Sequence, residues 1–369
     1  MTPRTFGVEE ELLLVDPVSG APRAVSGAVL RYARDNGVEL SGDEALESEL
    51  QREQLETGTR PCSSLAELSD QVRRTRKAAV RSARGVGAAV AALATSPVAV
   101  QPSITPSLRY RRMARAYALT ADEQLTCGCH VHVNVDGPEE GVGVLDRIRP
   151  WLPPLLALSA NSPFWQGHDT GYDSWRQQVW GRWPSNGPTE LFESVKGYRA
   201  AVEAMIDTGA LLDEGMIYFD ARLSRQYPTV EIRVADVCME ADDAVLLAAL
   251  VRALVSTAAH AWRAGVPPDR MRTDLLKLAM WRASRSGVRE DLVHPVTRRP
   301  VPAHAAVRTL LDHLAPALAE SGDLDTTRVL LARLLERGNG ARRQRQVYAR
   351  ARDVTAVVAD AVSATSQEA

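Results

Sequence analysis

Residues 129–135 alternate strictly between polar and apolar side chains, with His130, His132 and Asn134 at one set of positions and cysteine or valine at the other. Because successive side chains of a β-strand point to opposite faces, this segment predicts a strand with one apolar and one polar face. Two histidines at this spacing are typical of metal ligands or phosphate contacts. The alternative is a half-exposed strand whose histidines bond to water or to the backbone.

A pair of glutamates occupies one face of a second predicted strand, over residues 6–15. Glu9 and Glu11 share that face, and Glu10 points to the other. Two carboxylates two residues apart repel each other, so a protein interior tolerates them mainly when a cation lies between them. A solvated edge strand whose charges discourage aggregation is an equally good interpretation of this segment alone.

A third predicted strand, over residues 229–235, places Glu231 and Arg233 on one face. If exposed, they form an ion pair of little energetic value. If they are buried on the same sheet face as Glu9 and His132, the pair indicates a metal ligand beside a phosphate-binding arginine. Residues 50–57 are a weaker strand candidate. As a strand, this segment would place Gln54 and Glu56 on one side, whereas as a helix its glutamates would form an ordinary solvated face.

The order of the elements predicts an α+β fold. Strand patterns dominate the first 60 residues, and from Glu240 onward the pattern is almost entirely helical. Such an order favours an antiparallel sheet covered by helices on one side. We expect one catalytic domain over residues 1–369, with 240–369 as its mainly helical C-terminal portion. Predicted helices lie near residues 65–95, 108–119, 139–161 with a break at Pro153-Pro154, 190–207, 241–264, 270–286, 303–320, 325–336 and 341–363.

Composition narrows the class of protein. The net charge is −2, which excludes nucleic-acid binding by bulk electrostatics. Four scattered cysteines indicate a reducing compartment, and no stretch approaches the roughly 20 apolar residues of a membrane span. The first residues lack the apolar core of a signal peptide. We expect a cytoplasmic globular protein with no membrane partner, more in keeping with an enzyme than with a scaffold.

Phosphate binding in this chain would have to use metals and arginines. The sequence has neither a Gly-x-x-x-x-Gly-Lys-Ser/Thr loop nor a Gly-x-Gly-x-x-Gly motif. Arg176, in a Trp-rich segment, and Arg345, in an Arg-rich segment, are candidates for phosphate contacts. Residues 164–188 have no clean period, and a loop of this length is usually a lid or a binding loop.

Five segments of the chain match motifs of a known family. They are Phe-Gly-Val-Glu-Glu-Glu-Leu at 6–12, Leu-Thr-Cys-Gly-Cys-His-Val-His-Val at 125–133, Ser-Ala-Asn-Ser-Pro-Phe-Trp at 159–165, Glu-Ile-Arg-Val-Ala-Asp at 231–236 and Gly-Asn-Gly-Ala-Arg-Arg-Gln-Arg at 338–345. In this order they resemble the carboxylate–amine ligases called type 2 glutamate–cysteine ligases. The resemblance implies a fold similar to that of glutamine synthetase and the guanidino kinases, in which a curved antiparallel sheet forms a cradle backed by helices.

The resemblance also implies cofactors and site residues. Ligases of this kind use ATP with magnesium or manganese ions held by sheet carboxylates and a histidine. The implied metal ligands are Glu9, Glu11, Glu56, His132 and Glu231. Arg233 is the implied phosphate-facing arginine, so that Arg233 and Glu231 are the expected catalytic pair. The side chains predicted to contact ATP are Arg233, His130, Asn134, Arg176 and Arg345.

The implied reaction joins glutamate to cysteine through an acyl phosphate, at the expense of ATP. Two alternatives stay open at this stage: an ATP:guanidino phosphotransferase, and a non-catalytic regulator that binds nucleotide or metal on the same fold. The expected partners are small molecules, and a homodimer is a further expectation.

Overall fold

The computed structural model describes residues 4–38 and 45–367. Their strands are β1 Phe6–Val15, β2 Ala45–Ser48, β3 Gln54–Gly58, β4 Ala89–Ala91, β5 Gly128–Asn134, β6 Phe164–Trp165, β7 His168–Asp169, β8 Ala221–Leu223, β9 Thr229–Asp236, β10 Asp291–Val293 and β11 Pro300–Pro302. Their α-helices are α1 Ser26–Asp35, α2 Leu65–Arg84, α3 Leu108–Tyr117, α4 Leu119–Asp122, α5 Pro138–Ile148, α6 Leu152–Ser159, α7 Trp175–Trp180, α8 Val195–Asp207, α9 Ala241–Arg263, α10 Thr273–Ser286, α11 Ala303–Glu320, α12 Leu324–Arg337, α13 Gly340–Ala351 and α14 Val354–Gln367.

The main sheet is antiparallel and runs β2-β3-β1-β5-β9-β8, with β4 pairing the end of β1. The three segments with alternating patterns therefore form its centre. The register sets Glu9 opposite His130 and His132 opposite Glu231. On the other side of β1, Glu11 lies opposite Glu56 of β3. The α+β class and the antiparallel sheet with helices are thus confirmed.

Helices cover the apolar face of this sheet. Val8 of β1 and Val131 and Val133 of β5 are buried in one cluster with the leucines and alanines of α9. In the described part of the chain, α9 alone is long and apolar enough to span a membrane by length and composition, and 78% of its apolar window is buried inside the protein. We interpret α9 as the central core helix, because it packs against α2, α5, α11 and the sheet.

Glu10 faces this helical side and forms a buried ion pair. Its two carboxylate oxygens accept hydrogen bonds from Nε and Nη2 of Arg76 on α2, at 2.9 and 2.7 Å. Arg76 also donates to the carbonyl oxygens of Cys238 and Met239. Both side chains are almost completely buried. Glu10 thus ties β1 to α2, whereas Glu9 and Glu11 face the opposite side.

We expect Arg76→Met to lower the free energy of unfolding by about 3–5 kcal/mol, because it leaves the Glu10 carboxylate buried without its partner. Urea unfolding followed by circular dichroism measures the change. Lys77→Met, at the neighbouring exposed position of α2, is the control and should stay within about 0.5 kcal/mol of the parent protein. Equal losses in the two variants would show that the ion pair has no special role.

Three predicted helices are wrong in extent, and the one predicted over 190–207 begins only at Val195. The helix predicted to reach residue 95 ends at Arg84, because Gly85 and Gly87 follow it and Gly87 has φ of +71°, so that the chain turns into the buried strand β4. The helix predicted over 341–363 is two helices, since Arg352 adopts a left-handed conformation between α13 and α14. The sequence analysis also missed α1 and β2.

Candidate active site

A cavity of about 560 Å³ lies over the polar face of the sheet. β1, β3, β5 and β9 supply its floor, because every second side chain of each strand points to this face. Eight of the residues predicted from the sequence line it: Glu9, Glu11, Glu56, His130, His132, Asn134, Glu231 and Arg233. Residues from four predicted strand segments, up to 224 positions apart in the chain, therefore meet at one site.

Glu9 lies between the two histidines of β5. Its carboxylate oxygens are 3.2 Å from Nε2 of His132 and 3.6 Å from Nδ1 of His130. Burial by itself raises the pKa of Glu9, but hydrogen bonds with both histidines and the charge of His132 outweigh it and hold that pKa well below its ordinary value. Burial and the charge of Arg233 lower the pKa of His130 to about 4. Near neutral pH, Glu9 is therefore an anion and His130 is uncharged.

Glu231 is buried between two arginines. Its carboxylate accepts hydrogen bonds from Nη1 of Arg233 and from Nε of Arg222, the latter at 2.7 Å. Although burial raises its pKa, these two guanidinium groups lower the pKa of Glu231 to about 2. Glu231 thus stays ionised while almost completely buried. The sequence analysis missed Arg222, which β8 places directly opposite Glu231.

Glu9, His132 and Glu231 can together hold a metal ion. One potential ligand atom of each residue lies within 4.8 Å of those of the other two. Two carboxylates and one imidazole suit a hard divalent cation such as magnesium or manganese. The strand register explains why these three side chains lie close together, because Glu9, His132 and Glu231 come from three adjacent strands.

A second acidic group lies beside the first. Burial raises the pKa of Glu11 to about 7, with a further contribution from Glu49 and opposition from Arg176. Burial, together with a hydrogen bond and the charge of Glu49, raises the pKa of Glu56 well above its ordinary value. Carboxylates that disfavour their own ionised forms fit a site that gains a cation. The sequence analysis left Glu49 out of the ligands, although it lines the same cavity.

Three nitrogen-bearing side chains converge near this acidic group. Nε of Arg176, Nε of Arg233 and Nε2 of His130 are buried and have no hydrogen-bond partner in the described structure. Gly128 permits the approach: a Cβ there would collide with Nη2 of Arg176 and lie 2.8 Å from Nε2 of His130. The indole ring of Trp180 lies 5.8 and 5.9 Å from the guanidinium carbons of Arg176 and Arg233. Buried donors without partners suit an anion.

The structure does not bring Arg345 to this cavity. Its guanidinium donates to Asp169, Asp173 and the carbonyl oxygen of Tyr172. Arg176 lies behind the cavity wall, against the backbone carbonyl oxygens of Arg233 and Val234. Asn134 lies at the outer end of the cavity, where its amide donates to the carbonyl oxygen of Pro228 at 3.4 Å.

The segment predicted as an irregular loop, residues 164–188, contains β6, β7 and α7. Its second half supplies Trp180 and Trp183 to the cavity wall. Its first half faces away, since Arg345 of α13 holds Asp169 and Arg285 of α10 donates to the carbonyl oxygen of Gly171. The segment is therefore a structured wall on one side of the site.

Two solved ligases share this fold. A bifunctional glutathione synthetase from Pasteurella multocida matches with a TM-score of 0.71 and 15% identity, over 100% of this chain and 53% of that chain. The chain thus spans about half the length of that synthetase. A glutamate–cysteine ligase from Francisella tularensis, solved in complex with AMP, matches with a TM-score of 0.69 and 14% identity, over 100% of this chain and 89% of that chain.

The sequence itself matches the family model described as glutamate–cysteine ligase family 2 over residues 5–364, and the chain belongs to this family. Relatives from Streptomyces avermitilis and Streptomyces coelicolor, named "Putative glutamate–cysteine ligase 2-1" and "Putative glutamate–cysteine ligase 2", are each 55% identical over 362 residues. Each alignment covers 98% of this chain and 99% of the relative. The resemblance noted from the five motifs is confirmed.

Proposed function

We propose that the protein is an ATP-dependent carboxylate–amine ligase. It transfers the γ-phosphate of ATP to the carboxylate of a small acid, and an amine then displaces phosphate to form an amide. The family makes glutamate the expected acid and cysteine the reference amine. The observation that carries the proposal is the convergence in one cavity of clustered carboxylates with buried guanidinium and imidazole nitrogens that lack partners.

This convergence suits the chemistry of the reaction. A carboxylate is a poor electrophile, and an acyl phosphate is a good one because phosphate is a good leaving group. Bringing a carboxylate against a triphosphate requires that several negative charges be neutralised at once. Positioning and charge neutralisation are the main means by which proteins assist phosphoryl transfer.

The two acidic groups fit divalent cations. Glu9, His132 and Glu231 would hold one magnesium or manganese ion, and Glu11, Glu49 and Glu56 would hold others. Bound there, the ions would supply the positive charge that brings the substrate carboxylate and the phosphates together. Glu231 has a second task, since its contact with Arg233 orients that guanidinium towards the cavity.

The three side chains with unpartnered nitrogens, Arg176, Arg233 and His130, fit the phosphoryl group that is transferred. Arg233 keeps its Nε free for an anion while Glu231 holds its Nη1. The pKa of Arg233 is raised because Glu231 and Glu11 outweigh the effect of its burial, so the guanidinium stays charged. His130 would donate or accept one further hydrogen bond, and Arg176 adds charge from behind the wall. Trp180 and Trp183 exclude water from this end of the cavity, which protects an acyl phosphate from hydrolysis.

The proposal includes a cytoplasmic setting, where ATP is abundant, and the four cysteines of the chain are free and buried. A homodimer stays a prediction from the sequence.

Oxygen transfer tests the acyl phosphate. We expect glutamate labelled with ¹⁸O in its carboxylates to pass one labelled oxygen to each phosphate released in the presence of ATP, magnesium and an amine. Phosphate analysed by mass spectrometry gives the result, and unlabelled glutamate in ¹⁸O-water is the control for hydrolysis. Phosphate without the label would contradict the intermediate. ADP without free phosphate would favour a guanidino kinase, and ATP binding without turnover would favour the regulator.

A further inference from the structure

One end of the cavity is lined by aromatic side chains. Tyr110, Met113, Trp180, Trp183 and Tyr218 form this aromatic end. The ring centroids of Trp180 and Tyr218 are 4.7 Å apart, and those of Trp183 and Tyr218 are 5.5 Å apart. Burial raises the pKa of Tyr218 to about 12, so its hydroxyl stays uncharged. A surface of this kind binds rings and apolar groups well.

The aromatic end borders the reacting centre. Trp180 lies 5.9 Å from the guanidinium carbon of Arg233, the residue assigned above to the phosphoryl group. A molecule bound against Trp180 would therefore have one end beside the acyl carbon. This is the position that the attacking amine must occupy.

Cations at the aromatic end are already paired. Arg109 donates two hydrogen bonds to Asp213, at 2.9 and 3.0 Å, and its third nitrogen faces the sulfur of Met113. Arg222 donates to Glu231 and to the carbonyl oxygen of Ile217. Every nitrogen of these two guanidinium groups thus already makes a contact, and Arg225, which also lines the cavity, lies 3.5 Å from a carboxylate oxygen of Glu214. An α-carboxylate placed here would be desolvated beside aromatic rings, which is costly, and it would compete with the phosphoryl group for Arg233, whose Nε has no partner among the described residues.

The opposite end of the cavity is more open and differs in chemistry. It is formed by Thr5, Gly7, Thr59, Asn134 and the half-exposed ring of Tyr227. Tyr227 lies edge-on to His132, with ring centroids 6.2 Å apart. A nucleotide can enter from this side and extend its phosphates to the acidic groups without using the aromatic end.

We propose that the aromatic end binds the amine substrate, and that it selects amines that carry an aromatic or bulky apolar group and no carboxylate. The inference rests on the proposed function, since it concerns the second half of that reaction. The ammonium form of the amine first loses a proton to solvent, and its nitrogen then attacks the acyl carbon. The bond from carbon to the phosphate oxygen breaks, phosphate leaves with the electron pair, and a second proton passes from nitrogen to phosphate.

Matched pairs of amines test this selectivity in the full-length protein with ATP, magnesium and glutamate. Tyramine and tyrosine differ only in the carboxylate, as do cysteamine and cysteine. We expect kcat/KM to be about tenfold or more higher for the amine without the carboxylate in each pair, because that group finds the other cations paired and competes with the phosphoryl group for Arg233. We also expect tyramine to exceed ethylamine by about 10- to 100-fold, since its ring buries apolar surface. Equal or better values for tyrosine and cysteine would overturn the inference.

Hydroxylamine separates this inference from the proposed function. It is small enough to capture an acyl phosphate without the aromatic end, and the product is a hydroxamate. Hydroxamate formation without the expected order of amines would overturn the inference and leave the ligase proposal standing. Failure to form either hydroxamate or amide would overturn both. Competition of tyramine with ATP would place the adenine at the aromatic end and would also overturn the inference.

A charge variant tests the role of the paired cations. Asp213→Asn removes the charge that neutralises Arg109 and leaves a net positive group at the edge of the aromatic end. We expect the tyramine preference over tyrosine to fall by about two- to fivefold, the range typical of a partly exposed ion pair. Asp207→Asn, at an exposed position of α8, is the matched control and should keep the parent ratio. An unchanged ratio in Asp213→Asn would count against the proposed selection.

Discussion

Replacing Arg233 by methionine is expected to lower kcat/KM for ATP-dependent ligation by about a thousandfold, the lower range for an arginine that stabilises a transferring phosphoryl group. Arg233 is 8% exposed and lies in the cavity wall, with Nε unpartnered and Nη1 on Glu231. Methionine keeps much of the volume and removes the charge. The loss should appear mainly in kcat, because negative charge on the phosphoryl group is most dispersed during transfer.

The fold should survive this substitution, because Glu231 keeps Arg222 as a partner. Phosphate release gives the kinetic loss, and thermal unfolding together with manganese titration shows whether the site remains assembled. Arg233→Lys restores the charge without the planar group and should recover only part of the activity. Arg328→Met, at an exposed position of α12, is the control for loss of an arginine. Activity within tenfold of the parent in Arg233→Met would contradict the assignment of Arg233.

The polar face of the sheet was predictable because strand geometry leaves little choice. Side chains two residues apart share a face whatever lies around them, so the pairs Glu9 with Glu11 and Glu231 with Arg233 could be assigned to faces from sequence alone. That these faces are the same face followed only from the pairing of β1 with β5 and of β5 with β9. The five motifs supported the same arrangement, because the family that they resemble implies it.

Residues outside long strands could not be placed in the same way. Glu49 follows β2, a strand of four residues, and Arg222 lies in β8, a strand of three. Strands this short carry too few positions for their alternation to show which face, and hence which site, a side chain joins. The aromatic end also depends on tertiary packing, since its members come from α3, from α7 and the turn after it, and from the segment before β8.

The ion-pair partners of the arginines could not be predicted from the sequence either. Arg176 and Arg345 were predicted together as phosphate contacts, and the structure separates them. Arg176 is buried beside the site, with Trp180 below its guanidinium, whereas Arg345 is paired with Asp169 and Asp173. Whether an arginine is available to bind an anion depends on its neighbours, because any carboxylate within reach neutralises it.

Replacing Glu9 by glutamine is expected to weaken manganese binding by about 10- to 100-fold, at least the loss seen when groups that merely support metal ligands are removed. Glutamine keeps the shape of the side chain and removes the charge that lies 3.2 Å from His132. The change also removes the partner that keeps the pKa of His132 raised against the effect of its burial. Isothermal titration with manganese, without ATP, measures the affinity independently of turnover. Glu139→Gln, at an exposed position of α5, is the isosteric control and should bind manganese as the parent does. Unchanged affinity in Glu9→Gln would remove Glu9 from the metal site, and would leave Glu11, Glu49 and Glu56 as the group that attracts the cation.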